Sequence, residues 1–442
     1  MPTVIRRNIG AIVSGLTFTL FAALWRVLYN SLMRTVLLLV CCSILLSGCA
    51  FPAEDVSAFG IPSPTPFQPG TENASDSLYA DSAPTPLFLP TVSLPTAAPT
   101  DTPLPTVPPT PTVPPVLNPL TGLPQADPGR LERHPMAIKV ANYPRYVRPQ
   151  SGLTLADQVF EYYIEGGLTR YIAIFYGNDS EWVGPVRSGR FFDEHIARMY
   201  QAYLVFKFAD KRVLEYLRTT DIADFLVVPS EGACPPFRLM PTRKLEAYNN
   251  NYFNTTLWGD CVRKNGLPAD KPYLSGNFSP DVPQLSGAPA LRVFTYFSKF
   301  SYNQWEYKPE IGEYFRFQET DDTLDGKEEA YAPLTDNVTG LQVHAANVVV
   351  LFAYHEFANP YQEDDEVYHI DLTGSGEAYV FRDGVGYPAR WNRLYKDQPL
   401  LLTTPDGVPI PLRPGITFYE VIGSNSYASQ GDGEWFFHHT TP

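Results

Sequence analysis

Five charged side chains flank two glycine-containing turns in the first half of the chain, and together they could hold an anion. They are Glu161, Glu165, Arg170, Arg187 and Arg190. A guanidinium group grips a carboxylate or phosphate through two parallel N–H donors, so arginines that converge on one cleft would favour an anionic ligand. The alternative is that the arginines pair with Asp157, Glu161 and Glu165 and only fix the geometry of the loops.

The same carboxylates could also serve an enzyme that acts on cell-wall or glycan substrates. Glu161 or Glu165 would then be the acid or base, and a carboxylate pair at glycosidase separation would support this alternative. Nucleophilic catalysis has less support, because nothing like a nucleophile elbow surrounds Ser188, the serine nearest to His195. His195 itself is predicted to be a surface residue in the first turn of a helix. We therefore predict a binding protein with no catalytic residue, cofactor or metal site, and keep the enzyme as the alternative.

The elements that would position these residues have mixed character. Short apolar runs at 136–142, 156–167 and 169–177 predict strands, and the glycine pair Gly166–Gly167 predicts a tight turn between the last two. In 190–203 the apolar residues recur at helical spacing, and 210–217 predicts a second helix with Asp210 as its N-cap.

From residue 291 onward, strand patterns dominate. Runs at 291–301, 347–355, 366–372, 377–384 and 416–423 are rich in branched and aromatic residues. TGSG at 373–376 predicts a glycine turn, and Asp383–Gly384 predicts a hairpin. The sequence thus predicts an α+β fold: a mixed α/β N-terminal domain over 118–285 packed with a β-rich C-terminal domain over 286–442.

Several ordered segments resemble the YerB-like family of bacterial lipoproteins, whose two paired domains have no assigned reaction. They include NPLTGLP at 118–124, RPQSGL at 148–153, GPVRSGR at 184–190, NVVVLFAYHEF at 347–357 and ARWNRLY at 389–395. The resemblance extends from Asn118 to the end of the chain. It implies the two-domain organisation but brings no catalytic or binding residues.

LLSGC, ending at Cys49, follows an apolar run of only eleven residues and a basic Arg34. A membrane-spanning helix needs about 20 apolar residues, whereas this layout is typical of a secretory signal. The small residues before Cys49 resemble the bacterial lipobox, in which the cysteine receives a diacylglycerol. An ordinary buried cysteine in a signal region is the alternative.

The region 1–49 leaves one further question open. Residues 9–25 form a second apolar stretch, so either translation starts at Met33 or this stretch is a true membrane helix. Residues 50–117 follow as a linker: seventeen prolines lie between positions 51 and 117, where Lys and Arg are absent. Such a composition favours an extended, disordered stalk.

Charge and cysteine content agree with export. The net charge of −14 and the lack of a basic stripe exclude nucleic acid as an expected partner. Beyond Cys49 only Cys234 and Cys261 remain, and in an oxidising compartment they are predicted to pair; two free thiols or half a metal site are the alternatives. We expect a protein anchored by lipid to the extracytoplasmic face of the cell membrane, with another envelope protein or a cell-wall polymer as partner.

Overall fold

The structure, a computed structural model, describes residues 114–268, 272, 274–360 and 365–442. The predicted signal region 1–49, with its lipid site at Cys49, lies outside these residues. So does the predicted linker 50–117, except for its last four positions. In the part of the chain that is described, no helix is long and apolar enough to cross a membrane.

Nineteen strands and three α-helices build the described part of the chain. The strands are β1 (Met136–Ala141), β2 (Gln158–Tyr163), β3 (Thr169–Phe175), β4 (Tyr203–Val205), β5 (Leu226–Val227), β6 (Ala288–Pro289), β7 (Arg292–Tyr296), β8 (Tyr302–Lys308), β9 (Glu313–Glu319), β10 (Tyr331–Pro333), β11 (His344–Ala345), β12 (Asn347–Phe357), β13 (Tyr368–Asp371), β14 (Gly374–Arg382), β15 (Val385–Arg393), β16 (Leu401–Thr403), β17 (Thr417–Gly423), β18 (Tyr427–Gly431) and β19 (Glu434–His438). The helices are α1 (Asp193–Tyr200), α2 (Lys211–Thr219) and α3 (Trp258–Asn265).

The strands form two sheets. The larger has twelve strands in the main order β16, β15, β14, β12, β17, β2, β3, β1, β4, β5, with β13 beside β12 and β6 beside β15. The smaller has seven, in the order β10, β9, β8, β7, β19, β18, with β11 beside β9. Few helices and many strands confirm the predicted α+β fold, with the helices in the first half and β structure dominating the second.

The smaller sheet packs on one face of the larger sheet, and α1 packs on the other. Trp305 of β8 lies 4.8 Å between ring centroids from Phe418 of β17. On the opposite face, Phe192 at the start of α1 lies 4.7 Å from Tyr162 of β2. Because successive side chains of a strand point to opposite faces, each central strand contributes to both layers of the core.

Strand β17 joins the two halves of the chain within one sheet. It pairs in parallel with β12 on one side and with β2 on the other, where Glu420 is opposite Glu161. All seven of its residues are buried. This is expected for a parallel strand that is covered on both faces.

Local signals in the sequence were correct for most elements. The Asp210 side chain accepts a hydrogen bond from the Arg212 N–H at 2.9 Å and caps α2, as predicted. Asp383 and Gly384 both have positive φ and turn the chain between β14 and β15. The TGSG prediction was wrong: β13 and β14 both pair antiparallel with β12, so the chain continues in one direction through 373–376 instead of reversing.

Candidate functional site

The segment 184–190 carries two of the predicted arginines. It runs beside the second half of β1, beyond the residues that pair with β4. The Arg187 N–H donates to the Lys139 carbonyl at 3.1 Å, and the Arg187 carbonyl accepts from Lys207 N–H at 3.1 Å. Gly184 starts the segment with φ of 149°, and a Cβ there would lie 2.8 Å from the Val186 nitrogen. Glycine is therefore needed for the chain to enter this edge.

Arg170 approaches the same place from the sheet. It lies on β3 opposite Tyr162 of β2, so both side chains point to the face that α1 covers. Lys139 of β1 shares this face, because its cross-strand partner is Ile172, two residues after Arg170. Both Lys139 and the Tyr162 hydroxyl reach Asp193 of α1, at 3.1 Å and 2.5 Å from its Oδ1.

Of the three predicted arginines, Arg190 is the one that has a carboxylate partner in the described part of the chain. Its Nε donates to Glu165 Oε2 at 2.9 Å, and its Nη2 contacts Glu165 Oε1. Burial alone would raise the pKa of Glu165, but the charge and the hydrogen bonds of Arg190, with smaller contributions from a backbone hydrogen bond and Arg170, together lower it. For this one pair, the structural alternative that the sequence left open is correct.

Arg170 and Arg187 have no carboxylate partner among the residues that the structure describes. Arg170 Nη1 donates to the Tyr143 carbonyl at 3.3 Å, and Arg187 Nη1 donates to Asn249 Oδ1 at 2.6 Å. The Nε atoms of both arginines are buried and without an acceptor in the described structure. Buried donors that lack an acceptor are costly, so these two guanidinium groups have binding capacity that the fold does not use.

The cations also act on one another. Burial, reinforced by the charges of Arg187 and Arg190, lowers the pKa of Arg170 to about 9. Burial lowers the pKa of Lys139 to about 8; Asp193 opposes this shift, and Arg190 and Arg170 add to it. With pKa values of about 9 and about 8, Arg170 and Lys139 both stay mainly protonated at neutral pH. We call Lys139, Arg170, Arg187 and Arg190 the cationic site.

Glu161 does not belong to this site, and its assignment as a ligand-binding residue was wrong. It lies one position before Tyr162 on β2, so its side chain points to the opposite face, toward the smaller sheet. Fully buried there, Glu161 contacts the Arg316 guanidinium and accepts from the Thr169 hydroxyl at 2.6 Å. Arg316 also binds Glu420, at 2.8 Å.

Asp157 is likewise absent from the cationic site. Its Oδ2 accepts the N–H groups of Tyr176 and Gly177 at 2.6 Å and 3.1 Å, and its Oδ1 accepts from Asn118. Burial raises the pKa of Asp157 to about 6 although these hydrogen bonds oppose it. The carboxyl therefore closes a turn rather than neutralising an arginine.

The structure joins Cys234 and Cys261, the pair predicted from the sequence, in a disulfide with their Cα atoms 5.5 Å apart. The loop that it closes contains Tyr248 and Asn249. Asn249 is the acceptor for Arg187. The disulfide thus holds the segment that forms one wall of the cationic site.

Sequence reasoning missed Lys139, Asn249 and Lys207. Lys139 had a signal, since a lysine in the middle of the apolar run MAIKVA must be buried with a partner. Asn249 and Lys207 had none, because they reach the site only through tertiary contacts.

The prediction that His195 is a surface residue was wrong. His195 packs against Arg393, and burial followed by the Arg393 charge lowers the pKa of His195 to about 4.

No group of three or more His, Cys, Asp or Glu side chains in the described ranges is arranged to hold a metal ion. The chemistry of the site is that of N–H donors and positive charge. Positive charge and N–H donors are the groups that favour an anion.

Comparisons with known proteins agree with the resemblance seen in the sequence. The family model described as "Protein of unknown function (DUF3048) N-terminal domain" matches residues 120–267, and the model for the corresponding C-terminal domain matches 293–419. The chain is 26% identical over 329 residues to "Putative lipoprotein YerB" of Bacillus subtilis (strain 168), covering 72% of this chain and 89% of that protein.

A solved structure shares the fold. The crystal structure of the YerB protein from Bacillus subtilis aligns with a TM-score of 0.56 and 24% sequence identity, and the match covers 70% of this chain and 96% of that one. This match supports the two-layer β architecture described above.

Proposed function

We propose that the chain, which belongs to the family defined by the DUF3048 N-terminal and C-terminal domains, is a lipid-anchored protein of the cell envelope that binds an anionic envelope component. Cys49 carries the lipid, and the globular part lies on the extracytoplasmic side. Arg170 and Arg187 are the residues that hold the ligand. The role is binding rather than catalysis.

The anchor is supported by two independent observations. The sequence LLSGC places small residues directly before Cys49. The Bacillus subtilis relative carries the name "Putative lipoprotein YerB". A diacylglycerol on Cys49 would tether the protein, and the proline-rich residues 50–117 would separate the lipid from the globular part.

One observation carries the binding role: Arg170 and Arg187 present buried N–H donors without an acceptor in the described structure. A carboxylate or phosphate bound against the partly exposed Arg187 would offset the repulsion between the two guanidinium groups, which no carboxylate of the described structure neutralises. The enzyme alternative requires Glu161 and Glu165 to face one substrate. They cannot do so in this fold, because Glu161 is enclosed between the two sheets with Arg316.

The anchor is tested by the Cys49→Ser substitution in cells fed a labelled fatty acid. We expect the wild-type protein to carry the label and to sediment with membranes, and the variant to lose the label and become soluble. Label that persists on the Cys49→Ser variant would refute the lipid assignment.

The binding role is tested by co-sedimentation of the detergent-solubilised full chain with purified cell-wall sacculi. We expect Arg187→Ala to lower the bound fraction while its melting temperature stays near that of the wild type. Arg263→Ala is the matched control, because Arg263 is an exposed arginine on α3 that pairs only with Asp260 in the described structure. An Arg187→Ala protein that melts several degrees lower but binds fully per folded molecule would assign Arg187 to the scaffold instead.

A further inference from the structure

We propose that the ligand of the cationic site is an anionic sugar, with its phosphate or carboxylate group on Arg170 and Arg187 and its ring against Tyr146 and Tyr248. This inference rests on the proposed function, because it names the class of ligand for the same site. It adds a second set of contacts, made by exposed aromatic rings that the arginine chemistry does not explain.

Arg170 is the most deeply buried arginine of the cationic site, and we call it and the cations around it the floor. Only 5% of its surface is exposed, and its Nε has no acceptor among the described residues. The neighbouring cations are Lys139, Arg187, Arg190 and Lys207, whereas the carboxylates in direct contact with this group are Glu165 and Asp193. A third carboxylate, Glu246, accepts from the Tyr146 hydroxyl at 3.3 Å and from Asn249 Nδ2 at 3.4 Å. Five positive charges against three negative ones leave an excess of two. A group with negative charge is therefore the occupant that this floor favours.

Tyr146 and Tyr248 form a rim beside this floor. Each is 51% exposed, although large aromatic side chains are usually buried more completely. Their positions are fixed relative to the arginines. Asn249, which is 1% exposed, donates to the Tyr146 hydroxyl at 2.8 Å and accepts from Arg187 at 2.6 Å.

A third exposed ring extends the rim. Phe208 is 57% exposed, and the Lys207 ammonium lies 4.8 Å from its ring centroid. The same ammonium donates to the Tyr248 carbonyl at 3.1 Å. One buried lysine thus connects the two aromatic residues to the cations of the floor.

Cations beside exposed aromatic rings favour some anions over others. A bare phosphate or carboxylate would contact the floor and leave the three rings in water. A pyranose that carries an anionic group presents a C–H face to the rings, and its hydroxyl groups can reach the polar atoms between them. The net charge of −14 would repel a long nucleic acid, so a sugar fits the site better than a nucleotide polymer does.

The test compares four small probes by calorimetry on the detergent-solubilised full chain: glucose 6-phosphate, glucuronate, glucose and inorganic phosphate. We expect glucose 6-phosphate or glucuronate to bind at least about tenfold more tightly than phosphate, and glucose not to bind measurably. The tighter of the two anionic sugars identifies whether the site takes a phosphate or a carboxylate.

Two sets of variants separate the floor from the rim. Tyr146→Ala combined with Tyr248→Ala should remove the advantage that the anionic sugar has over phosphate. Tyr395→Ala is the control, because Tyr395 is 68% exposed and lies in the turn after β15. Arg187→Ala should weaken the anionic sugars and phosphate alike.

The outcomes distinguish this inference from the proposed function. If phosphate and glucose 6-phosphate bind equally and both depend on Arg187, the anion site stands and the sugar assignment is overturned. If the double tyrosine variant keeps the full preference for the sugar, the rim has no role and the assignment is again overturned. If no anion binds the wild-type protein, the proposed function itself fails.

Discussion

The two faces of the larger sheet differ in how far their buried charges are compensated by opposite charges. On the face toward the smaller sheet, Arg316 lies between Glu161 and Glu420, all three fully buried, and each carboxylate has further donors. On the face toward α1, the cationic site brings together four positive groups, and Glu165 and Asp193 are the carboxylates that contact them in the described part of the chain. We call the first set the closed cluster.

The difference lies in how many acceptors meet the guanidinium groups. Arg316 directs its Nη1, Nη2 and Nε groups to Glu420, Glu161 and Gln318, whereas the Arg170 side chain makes one hydrogen bond to the residues that the structure describes. A buried ion pair is stable only when its hydrogen bonds are satisfied. The closed cluster therefore needs no partner from outside. The cationic site leaves donors unused, and this difference is the basis of the proposed anion binding.

The largest effect is expected from Arg316→Met, which breaks the closed cluster. The substitution leaves Glu161 and Glu420 buried without a counter-charge, and we expect a loss of about 3–5 kcal/mol in the free energy of unfolding. Urea unfolding measures it. Arg187→Met is the matched control in the cationic site and should change the stability by about 1 kcal/mol or less. Equal losses in the two variants would mean that the faces do not differ in the way described.

The second largest effect is expected when the disulfide is removed by Cys234→Ser with Cys261→Ser. The bond closes a loop of 27 residues, and its loss should cost about 3 kcal/mol through the entropy of the unfolded chain. Because this loop carries Tyr248 and Asn249, anion binding should weaken as well. Urea midpoints and phosphate calorimetry, with reduced wild-type protein as the control, measure both. Unchanged binding by the folded variant would show that the wall does not depend on the disulfide.

Glu420 gives the closed cluster a pH dependence. Burial and the neighbouring Glu161 raise its pKa from 4.5 to about 7, although Arg316 opposes the shift. The folded protein therefore holds this proton more tightly than the unfolded chain does. The stability that Glu420 contributes is complete below pH 4.5 and is lost as the pH rises through about 7.

Glu420→Gln should remove this dependence. Asn303 donates to Glu420, and its Oδ1 has no partner among the described residues, so a flip of its amide would supply the acceptor that glutamine needs. We expect the variant to be more stable than the wild type at pH 8 and to differ little at pH 5, as judged by urea midpoints. A difference that is the same at both pH values would contradict the assigned proton.

Much of the fold could be predicted from local patterns. Alternation of apolar residues located β1, β2 and β3, the helical period located α1 and α2, and Asp383–Gly384 located a hairpin. The TGSG prediction failed because a glycine-rich segment can also continue a strand. Whether it turns depends on β12, which pairs with the residues on both sides of it.

The candidate site was only partly predictable, for a reason of register. Glu161 and Arg170 were grouped because both flank the same turn. Their faces depend on which residues stand opposite across the strands, and Arg170 is opposite Tyr162 rather than Glu161. A shift of one residue would reverse this result. The spacing of residues along the sequence does not determine which residues stand opposite each other across two strands. It therefore could not separate the closed cluster from the cationic site.

The smallest effect is expected from Glu165→Gln, and it has the opposite sign to the others for binding. Glu165 is 42% exposed at its side chain, and its pair with Arg190 is worth about 1 kcal/mol or less. Removing its charge makes the cationic site more positive and frees Arg190, so phosphate should bind about fivefold more tightly at low salt. Glu313→Gln, which also loses a half-buried carboxylate but lies on β9, is the control. The gain should shrink as salt screens the charges. Weaker binding by Glu165→Gln would instead mean that Glu165 holds Arg190 in the position that the anion requires. The Glu165 carboxylate would then support the site rather than compete with its ligand.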